Sequence, residues 1–258
     1  MIRALSAIVL GLIYASLLLP LVAVVAASLT AGELMRVPPQ GLSLKWFQRF
    51  LASETFREAL LLSLQVAATT VVVTVVLATL AALCHRALSR RLAATYRVAM
   101  TLPLLLPELL TAIGLLFFLN GLGLGKTLAG LQIAHVVIAF PFAFLAIVAA
   151  LEQVDPAMEE ASASLGAGGF GTFRRVLLPL IRPGMLTGGL FAFIVSFDMF
   201  TISLLLKPVG GNTLPLALFD FLTYDFDPTA AAAATLSVIA AVIGVLAIER
   251  MVGLKRAF

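Results

Sequence analysis

Charged side chains are scarce in this sequence. Asp, Glu, Lys and Arg together make up 12% of the 258 residues, whereas hydrophobic residues make up 62%. Soluble domains carry about 25% charged residues and about 45–50% apolar residues. A soluble chain of this composition would lack the polar groups needed to cover its surface. The scarcity of charge therefore predicts a polytopic membrane protein.

Cysteine and histidine are almost absent as well. Cys84 is the only cysteine, which excludes a disulfide within the chain and a cysteine-cluster metal site, and we expect it to be a small packing residue. The two histidines, His85 and His135, are far apart in sequence, and no GxSxG or HExxH motif occurs. Residues 121–127 resemble a phosphate-binding loop, but Asn120 replaces its first glycine and no strand precedes it. We therefore expect no catalytic, nucleotide or metal site, which makes a membrane-embedded hydrolase the weaker hypothesis.

Long apolar runs dominate the sequence instead. A membrane-spanning helix needs about 20 apolar residues. Six segments are long enough, namely residues 5–29, 60–83, 98–119, 127–151, 185–206 and 230–248. The pattern predicts an all-α fold in which residues 1–258 form a single transmembrane domain of six membrane-spanning helices.

Basic residues are distributed unequally between the two sets of connections. If the N-terminus is cytoplasmic, 11 of the 17 lysines and arginines lie in cytoplasmic segments and 6 lie outside. The positive-inside rule therefore places both termini and the polar segment of residues 152–183 in the cytoplasm. The net charge of +4 does not indicate nucleic-acid binding, because the basic residues are scattered at the ends of the spans.

The first outer connection, residues 30–58, contains Trp46, the only tryptophan. Apolar residues alternate there with Lys45, Gln48 and Arg49, which predicts a short helix. We favour a helix that anchors in the lipid interface, and contact with a soluble partner is the alternative.

Residues 152–183 form the longest polar interruption in the C-terminal half. Pro156 is suited to the first turn of a helix, and Gly166 is suited to end it. We expect a second short helix over residues 170–178, which Pro179 ends. A helix–turn–helix between the fourth and fifth spans indicates a docking surface for a cytoplasmic partner.

The same segment is similar to the EAA loop of ABC importer permeases. The matching residues are Glu160-Ala161, Gly166, Val176 and Leu178-Pro179. Ser162 stands where the family usually has alanine, and we expect this small residue to pack similarly.

This resemblance implies a type I ABC importer permease fold with a cytoplasmic coupling loop at residues 152–183. It also implies a multi-pass protein of the bacterial cytoplasmic (inner) membrane. It implies four kinds of partner: a cytoplasmic ABC ATPase dimer that binds ATP and Mg, a second homologous permease subunit in a heterodimer, a periplasmic or extracellular solute-binding protein, and membrane lipid. No cofactor is expected on the chain itself. The residues expected to couple to the ATPase are Glu159, Glu160, Ala161, Ser164, Leu165, Gly166, Ala167, Phe173 and Pro179.

Nearly the whole chain also resembles permeases of polyamine (spermidine/putrescine) importers. The likeness includes residues 42–65 and 193–206, Thr213-Leu214-Pro215 and residues 227–231. The same subfamily includes importers of ferric iron, thiamine and aminoethylphosphonate, so these substrates stay open. A secondary transporter is a weaker alternative, because a docking loop implies an ATPase.

Asp198 is an acid inside the fifth predicted span. An intramembrane charge costs about 2.5–3.5 kcal/mol and usually faces the bundle interior or a water-filled cavity. In a continuous helix, Thr201 and Ile202 share the face of Asp198. Such a cavity would suit an amine-bearing cation, and a structural hydrogen bond to a neighbouring helix is an equal alternative. No arginine lies in a predicted span, which favours a cation over an anion or a metal chelate. The expected substrate-pathway residues are Asp198, Ser196, Thr201, Phe197 and Glu108, of which Glu108 fits a structural role better.

Overall fold

The computed structural model describes residues 2–225 and 227–252, and in these residues the chain is almost entirely helical. Within this described part, strand-type pairing is limited to an isolated antiparallel bridge between Thr30 and Leu42. The chain forms two compact units. One comprises the described residues of Met1–Ala59 and Leu216–Ile243, and the other comprises those of Leu60–Pro215 and Gly244–Phe258.

The helices follow one another with short connections. In chain order they are α1 (Ile2–Ser28), α2 (Lys45–Ala52), α3 (Glu54–Ala87), α4 (Arg90–Leu105), α5 (Glu108–Gly121), α6 (Leu128–Glu152), α7 (Pro156–Ser164), α8 (Gly169–Thr172), a π-helical segment (Phe173–Leu177), α9 (Leu178–Phe197), α10 (Phe200–Leu206), α11 (Leu214–Tyr224) and α12 (Thr229–Val252).

Four helical stretches have the length and composition of membrane spans. They are Val9–Ser28, Glu54–Ala87, Leu128–Glu152 and Gly169–Phe197. A fifth span is possible if α4 and α5, which meet at 97°, count together. The all-α, multi-span prediction is confirmed, whereas the count of six is not matched. The sixth predicted segment lies in α12, whose described apolar part, Thr229–Gly244, is shorter than a full span.

The third predicted span is bent rather than continuous. Leu106 has extended backbone angles, with φ −91° and ψ 142°, and Pro107 precedes the first residue of α5. The ring of a proline disfavours the helical conformation in the residue before it. Leu106 therefore leaves the helix, and the chain changes direction at this point.

Within the unit Leu60–Pro215, α6 and α9 are the most closely packed helices. A Cβ added to Gly184 would lie 2.5 Å from the Cβ of Ala150, and one added to Gly188 would lie 2.9 Å from the Cα of Ala143. Two glycines one turn apart therefore let the two helix backbones approach, as small residues do in membrane helix pairs.

Cys84 is exposed on α3, so the expectation that it is a packing residue is wrong.

Trp46 organises residues 30–58 of the other unit. Its side chain is 2% exposed, and its indole Nε1 donates a hydrogen bond of 2.8 Å to the backbone oxygen of Thr30. Arg49 on the same helix pairs with Asp227 at 2.7 Å. The predicted short helix is confirmed as α2, but its tryptophan packs inside the protein. Trp46 therefore takes no part in anchoring at the lipid interface, and the anchoring of α2 there stays a prediction.

Candidate functional site

The predicted coupling loop begins with the regular short helix α7. The carboxylate of Asp155 accepts a 2.9 Å hydrogen bond from the backbone N–H of Ala157, and Pro156 occupies the first turn. These two residues supply the N-terminal cap and the preset φ angle that start a helix. The start at Pro156 predicted from the sequence is thus confirmed.

Gly166 ends α7 in the left-handed conformation, with φ +80°. Its N–H donates to the oxygen of Ala163 at 2.9 Å, and the N–H of Ala167 donates to the oxygen of Ser162 at 3.1 Å. This pair of bonds is the Schellman motif, which needs a residue that tolerates positive φ. The turn predicted at Gly166 is confirmed, with a specific reason for glycine.

The second half of the predicted loop is already part of the next membrane helix. Helical structure runs unbroken from Gly169 to Phe197, so Pro179 does not end a separate short helix and that prediction is wrong. The reason lies in the π-helical segment Phe173–Leu177, after which the N–H of Leu178 bonds to the oxygen of Phe173. A proline lacks the N–H that an α-helix requires and crowds the carbonyl four residues earlier. The wider π turn just before Pro179 relieves both problems.

Ser162 joins the two arms of this helix–turn–helix. Its hydroxyl lies 3.0 Å from the hydroxyl of Thr172, which is buried. The serine that replaces the usual alanine of the EAA motif therefore makes a hydrogen bond between α7 and α8 instead of packing passively. The serine at this position is visible in the sequence, but nothing there indicates that its partner is Thr172, ten residues later.

Arg86, at the end of α3, holds the loop to two membrane helices. Its guanidinium donates to the backbone oxygens of Leu151 at 2.5 Å and Val154 at 3.2 Å, and it pairs with Glu159 of α7 at 2.5 Å. An arginine at a helix C-terminus satisfies the carbonyls that lack a helical partner. Sequence reasoning missed this residue, because Arg86 looked like one of four arginines that follow the second span.

Six of the nine predicted coupling residues are exposed, and four of the nine line one groove. Leu165 is 89% exposed. The groove of about 620 Å³ is lined by residues of α7, the turn and the π segment, including Met158, Ala161, Ala167 and Val176. Of the predicted set, Glu160, Ala161, Ser164, Leu165, Gly166 and Pro179 are exposed, Ala167 and Phe173 are half-buried, and Glu159 is half-buried against Arg86.

Asp198 lies at a break in the fifth predicted span. Helix α9 ends at Phe197, Asp198 is its C-terminal cap with φ −92° and ψ 2°, and Met199 is extended before α10 begins. Asp198 is exposed, whereas Ile202 is fully buried in the core. The expected helical face shared by Asp198, Thr201 and Ile202 is therefore wrong, because it presumed a continuous helix. Phe197 is half-buried next to the break and stacks on Phe193 at 5.6 Å.

A buried polar cluster lies beside this break. His135 is 1% exposed, and its ring nitrogens lie 2.8 Å from the hydroxyl of Ser196 and 3.2 Å from that of Ser203. Ser196 is also 3.3 Å from the hydroxyl of Thr70. Ser196 is thus enclosed in this cluster and does not share the exposure of Asp198. Sequence analysis noted His135 only as an isolated histidine.

Glu108 lies at the bend between α4 and α5. It is exposed and forms the first residue of α5, directly after Pro107. A carboxylate in the first turn of a helix interacts favourably with the positive end of the helix dipole. This position agrees with the structural role that we expected for Glu108.

Comparison with known proteins shows which family these features belong to. A family model described as the binding-protein-dependent transport system inner membrane component matches residues 74–255. The putrescine transport system permease protein PotI of Escherichia coli (strain K12) is 28% identical over 224 residues, which cover 84% of this chain and 79% of that protein. The spermidine/putrescine transport system permease protein PotC of Haemophilus influenzae is 25% identical and covers 88% of both chains.

One further relative supports the same family, and one solved structure supports the fold. A putative ABC transporter permease protein, ORF1, of Streptomyces antibioticus is 35% identical over 187 residues, which cover 71% of this chain and 80% of that protein. A chain from a bacterial ABC transporter that imports the acidic polysaccharide alginate superposes with a TM-score of 0.74 at 17% identity, over 96% of this chain and 95% of that chain. The likeness to the alginate transporter shows the fold alone. The chain belongs to the family of binding-protein-dependent transport system inner membrane components, as a multi-pass permease subunit of an ABC importer.

Proposed function

We propose that this permease subunit imports a polyamine or a similar small cation. The observation that carries the proposal is the position of Asp198, an exposed carboxylate at the C-terminal end of α9 within the fifth predicted span. The C-terminus of a helix carries about half a negative charge, so a carboxylate placed there concentrates negative potential. An ammonium group is attracted by both contributions, as the ends of broken membrane helices attract cations in other transporters.

Aromatic rings beside the break fit the rest of a polyamine. Phe197, which directly precedes Asp198, stacks on Phe193 with ring centroids 5.6 Å apart and an interplanar angle of 14°. Ring faces attract ammonium groups, and they also pack against methylene chains. Similarity to permeases named for putrescine and spermidine supports the same substrate class.

In this proposal, the exposed surface around α7 and Gly166 docks on a cytoplasmic ATPase dimer, which binds ATP and Mg and hydrolyses the ATP. Leu165 supports this assignment, because a leucine that is 89% exposed beside an apolar groove outside the membrane helices is typical of a protein contact. The permease itself has no cofactor and no catalytic role. A second, homologous permease subunit completes the pathway, a binding protein delivers the solute, and both termini lie in the cytoplasm.

The two candidate sites lie at opposite ends of one helical stretch. The 29 residues of Gly169–Phe197 begin in the coupling loop and end next to Asp198. At 1.5 Å per residue the stretch is about 44 Å long. When the docking surface moves, this helical stretch therefore carries the movement to the break at Asp198. Alternating access follows if closure of the ATPase moves this helix and opens the break to the outer face.

The substrate is tested by the ATPase activity of the reconstituted complex with its binding protein, over a panel of polyamines, phosphonates, amino acids, thiamine and iron chelates. We expect stimulation by a polyamine. A hydrogen bond between a substrate ammonium and a charged carboxylate typically contributes about 1.5–3 kcal/mol. Asp198→Asn should therefore raise the KM for the polyamine, measured by stimulated ATPase activity, about 10- to 100-fold. Glu108→Gln is the matched control and should leave the KM unchanged. Stimulation only by an anion would remove Asp198 as a binding group.

The docking surface is tested separately at the turn. Gly166→Pro should abolish stimulated ATPase activity and weaken copurification of the ATPase, because residue 166 needs positive φ. Gly168→Ala is the control: Gly168 has φ −73°, and an added Cβ there would meet nothing within 4 Å. A Gly166→Pro complex that keeps its ATPase and its full activity would exclude this loop as the coupling site.

A further inference from the structure

The break in the fifth predicted span is bridged by a single side chain from another helix. His135 on α6 contacts Ser196, two residues before Asp198, through Nδ1 at 2.8 Å. Its Nε2 contacts Ser203, on α10 after the break, at 3.2 Å. All three side chains are buried, with exposures of 1%, 3% and 0%. One imidazole therefore connects the two helical segments on either side of Asp198.

The direction of the hydrogen bond between His135 and Ser203 follows from a neighbouring bond. The hydroxyl of Ser203 donates its proton to the backbone oxygen of Met199 at 2.7 Å. Ser203 must therefore accept from His135, which places the ring proton on Nε2. The hydroxyl of Ser196 donates to the hydroxyl of Thr70 at 3.3 Å, and its oxygen lies 2.8 Å from Nδ1 of His135. The contacts therefore run from Ser196 across the ring to Ser203, whose own bond ends on the backbone of the break.

Such a cluster is costly unless every member is bonded. An ionisable side chain inside a membrane span faces the bundle interior and takes up a specific partner. A buried polar group left without a bond costs about 1–3 kcal/mol. The satisfied arrangement needs Ser196 and Ser203 at fixed positions on opposite sides of the break. Alternative geometries of the break lose one or both bonds, so the cluster selects one geometry.

We propose that His135 is a positioning residue that sets the geometry of the break, and with it the position of the Asp198 carboxylate. The importance of His135 for transport rests on the proposed function of Asp198. The ring does not touch the solute in this proposal; it acts through the two serines.

The geometry is measured first, independently of transport. Spin labels are placed at cysteines replacing Phe191 and Leu204, which are exposed on α9 and α10, in a Cys84→Ser background of the assembled complex. We expect a narrow distance distribution that broadens or shifts in His135→Ala. Ser203→Ala removes only a hydroxyl and one of the two connections, so it should broaden the distribution even if His135→Ala does not fold.

Two further variants separate positioning from general stability. His135→Gln keeps a donor and an acceptor in one side chain and should restore part of the narrow distribution. Ser237→Ala is the matched control, because Ser237 is also a membrane-helix serine but donates only to its own helix, at Ala233. It should change neither the distances nor the kinetics.

Kinetics then connect the geometry to the solute. Loss of one or two hydrogen bonds should raise the KM of polyamine-stimulated ATPase activity about 5- to 30-fold in Ser203→Ala and His135→Ala, while kcat changes less. Unchanged distances in both variants would overturn the role of His135. Broadened distances with an unchanged KM would support the role of His135 in the break and would instead remove Asp198 from the binding site.

Discussion

Arg86 offers the sharpest test of how the coupling loop is held. Its guanidinium bonds to the oxygens of Leu151 and Val154 and pairs with Glu159, which joins α3, the end of α6 and α7 at one point. In Arg86→Ala the two carbonyls and the carboxylate lose this partner together. We expect α7 to detach locally while the membrane helices stay folded.

The magnitude follows from the kinds of bond. Hydrogen bonds from a charged donor contribute about 1.5–3 kcal/mol each, although neighbouring bonds are not additive. The ion pair adds less than about 1 kcal/mol, because its side chains are 23% and 33% exposed and solvent screens them. We therefore expect the free energy that holds α7 in place to fall by about 2–4 kcal/mol, which makes local opening of α7 about 30- to 900-fold more frequent.

Amide hydrogen exchange of the reconstituted complex measures this opening directly. Protection of residues 158–165 should fall by about that factor in Arg86→Ala, and by no more than about fivefold in Glu159→Gln, which loses only the screened ion pair. Arg86→Lys keeps the charge without the forked geometry and should fall between them. Arg90→Ala is the control, because Arg90 is exposed at the start of α4. Equal protection in Arg86→Ala and wild type would refute the anchoring role.

Two other predictions concern packing within the unit Leu60–Pro215. Gly188→Ala should lower the melting temperature of the purified complex, with a cost of about 1–3 kcal/mol, because the new Cβ would lie 2.9 Å from the Cα of Ala143. Gly114→Ala, where nothing lies within 4 Å of an added Cβ, is the control and should be neutral or stabilising by up to about 1 kcal/mol. Equal melting temperatures of Gly188→Ala and Gly114→Ala would contradict the packing role of Gly188. Ser162→Ala and Thr172→Val should each cost about 1 kcal/mol, and the double variant no more than either alone, because both remove one hydrogen bond. If the costs of the two single variants add up in the double variant, Ser162 and Thr172 do not stabilise the loop through a common hydrogen bond.

The helix–turn–helix could be predicted because its signals are local. A proline in the first turn and a glycine after the last residue act within one turn of the backbone, so sequence alone determines where α7 begins and ends. The bend of the third span also had a local signal. Pro107 was visible in the sequence, and its effect on Leu106 is a general property of prolines. The prediction failed there because the segment was judged by its length and hydropathy alone.

Arg86 and His135 could not be recognised in this way. Arg86 meets a residue 65 positions later, and His135 meets one 61 positions later. Each looks ordinary in its own segment, one as a basic residue after a span and the other as a lone histidine. Their roles depend on which helices become neighbours, and hydropathy patterns do not contain that information.

The break at Asp198 is the most informative difference between the continuous fifth span that the sequence predicts and the structure. The residues from Ser196 to Phe200 include no glycine and no proline, so nothing local ends α9 there. Interrupting an apolar helix removes backbone hydrogen bonds where no water replaces them, at a cost of several kcal/mol for each group left unpaired. The break must therefore be maintained by tertiary contacts. Two kinds are present: the burial of Met199 and Ile202 in the core, and the imidazole that bonds a serine on each side. Burial alone is not directional and would tolerate a helix that slides or straightens. The hydrogen bonds to His135 are directional, so they are the contacts that can fix the break at this residue.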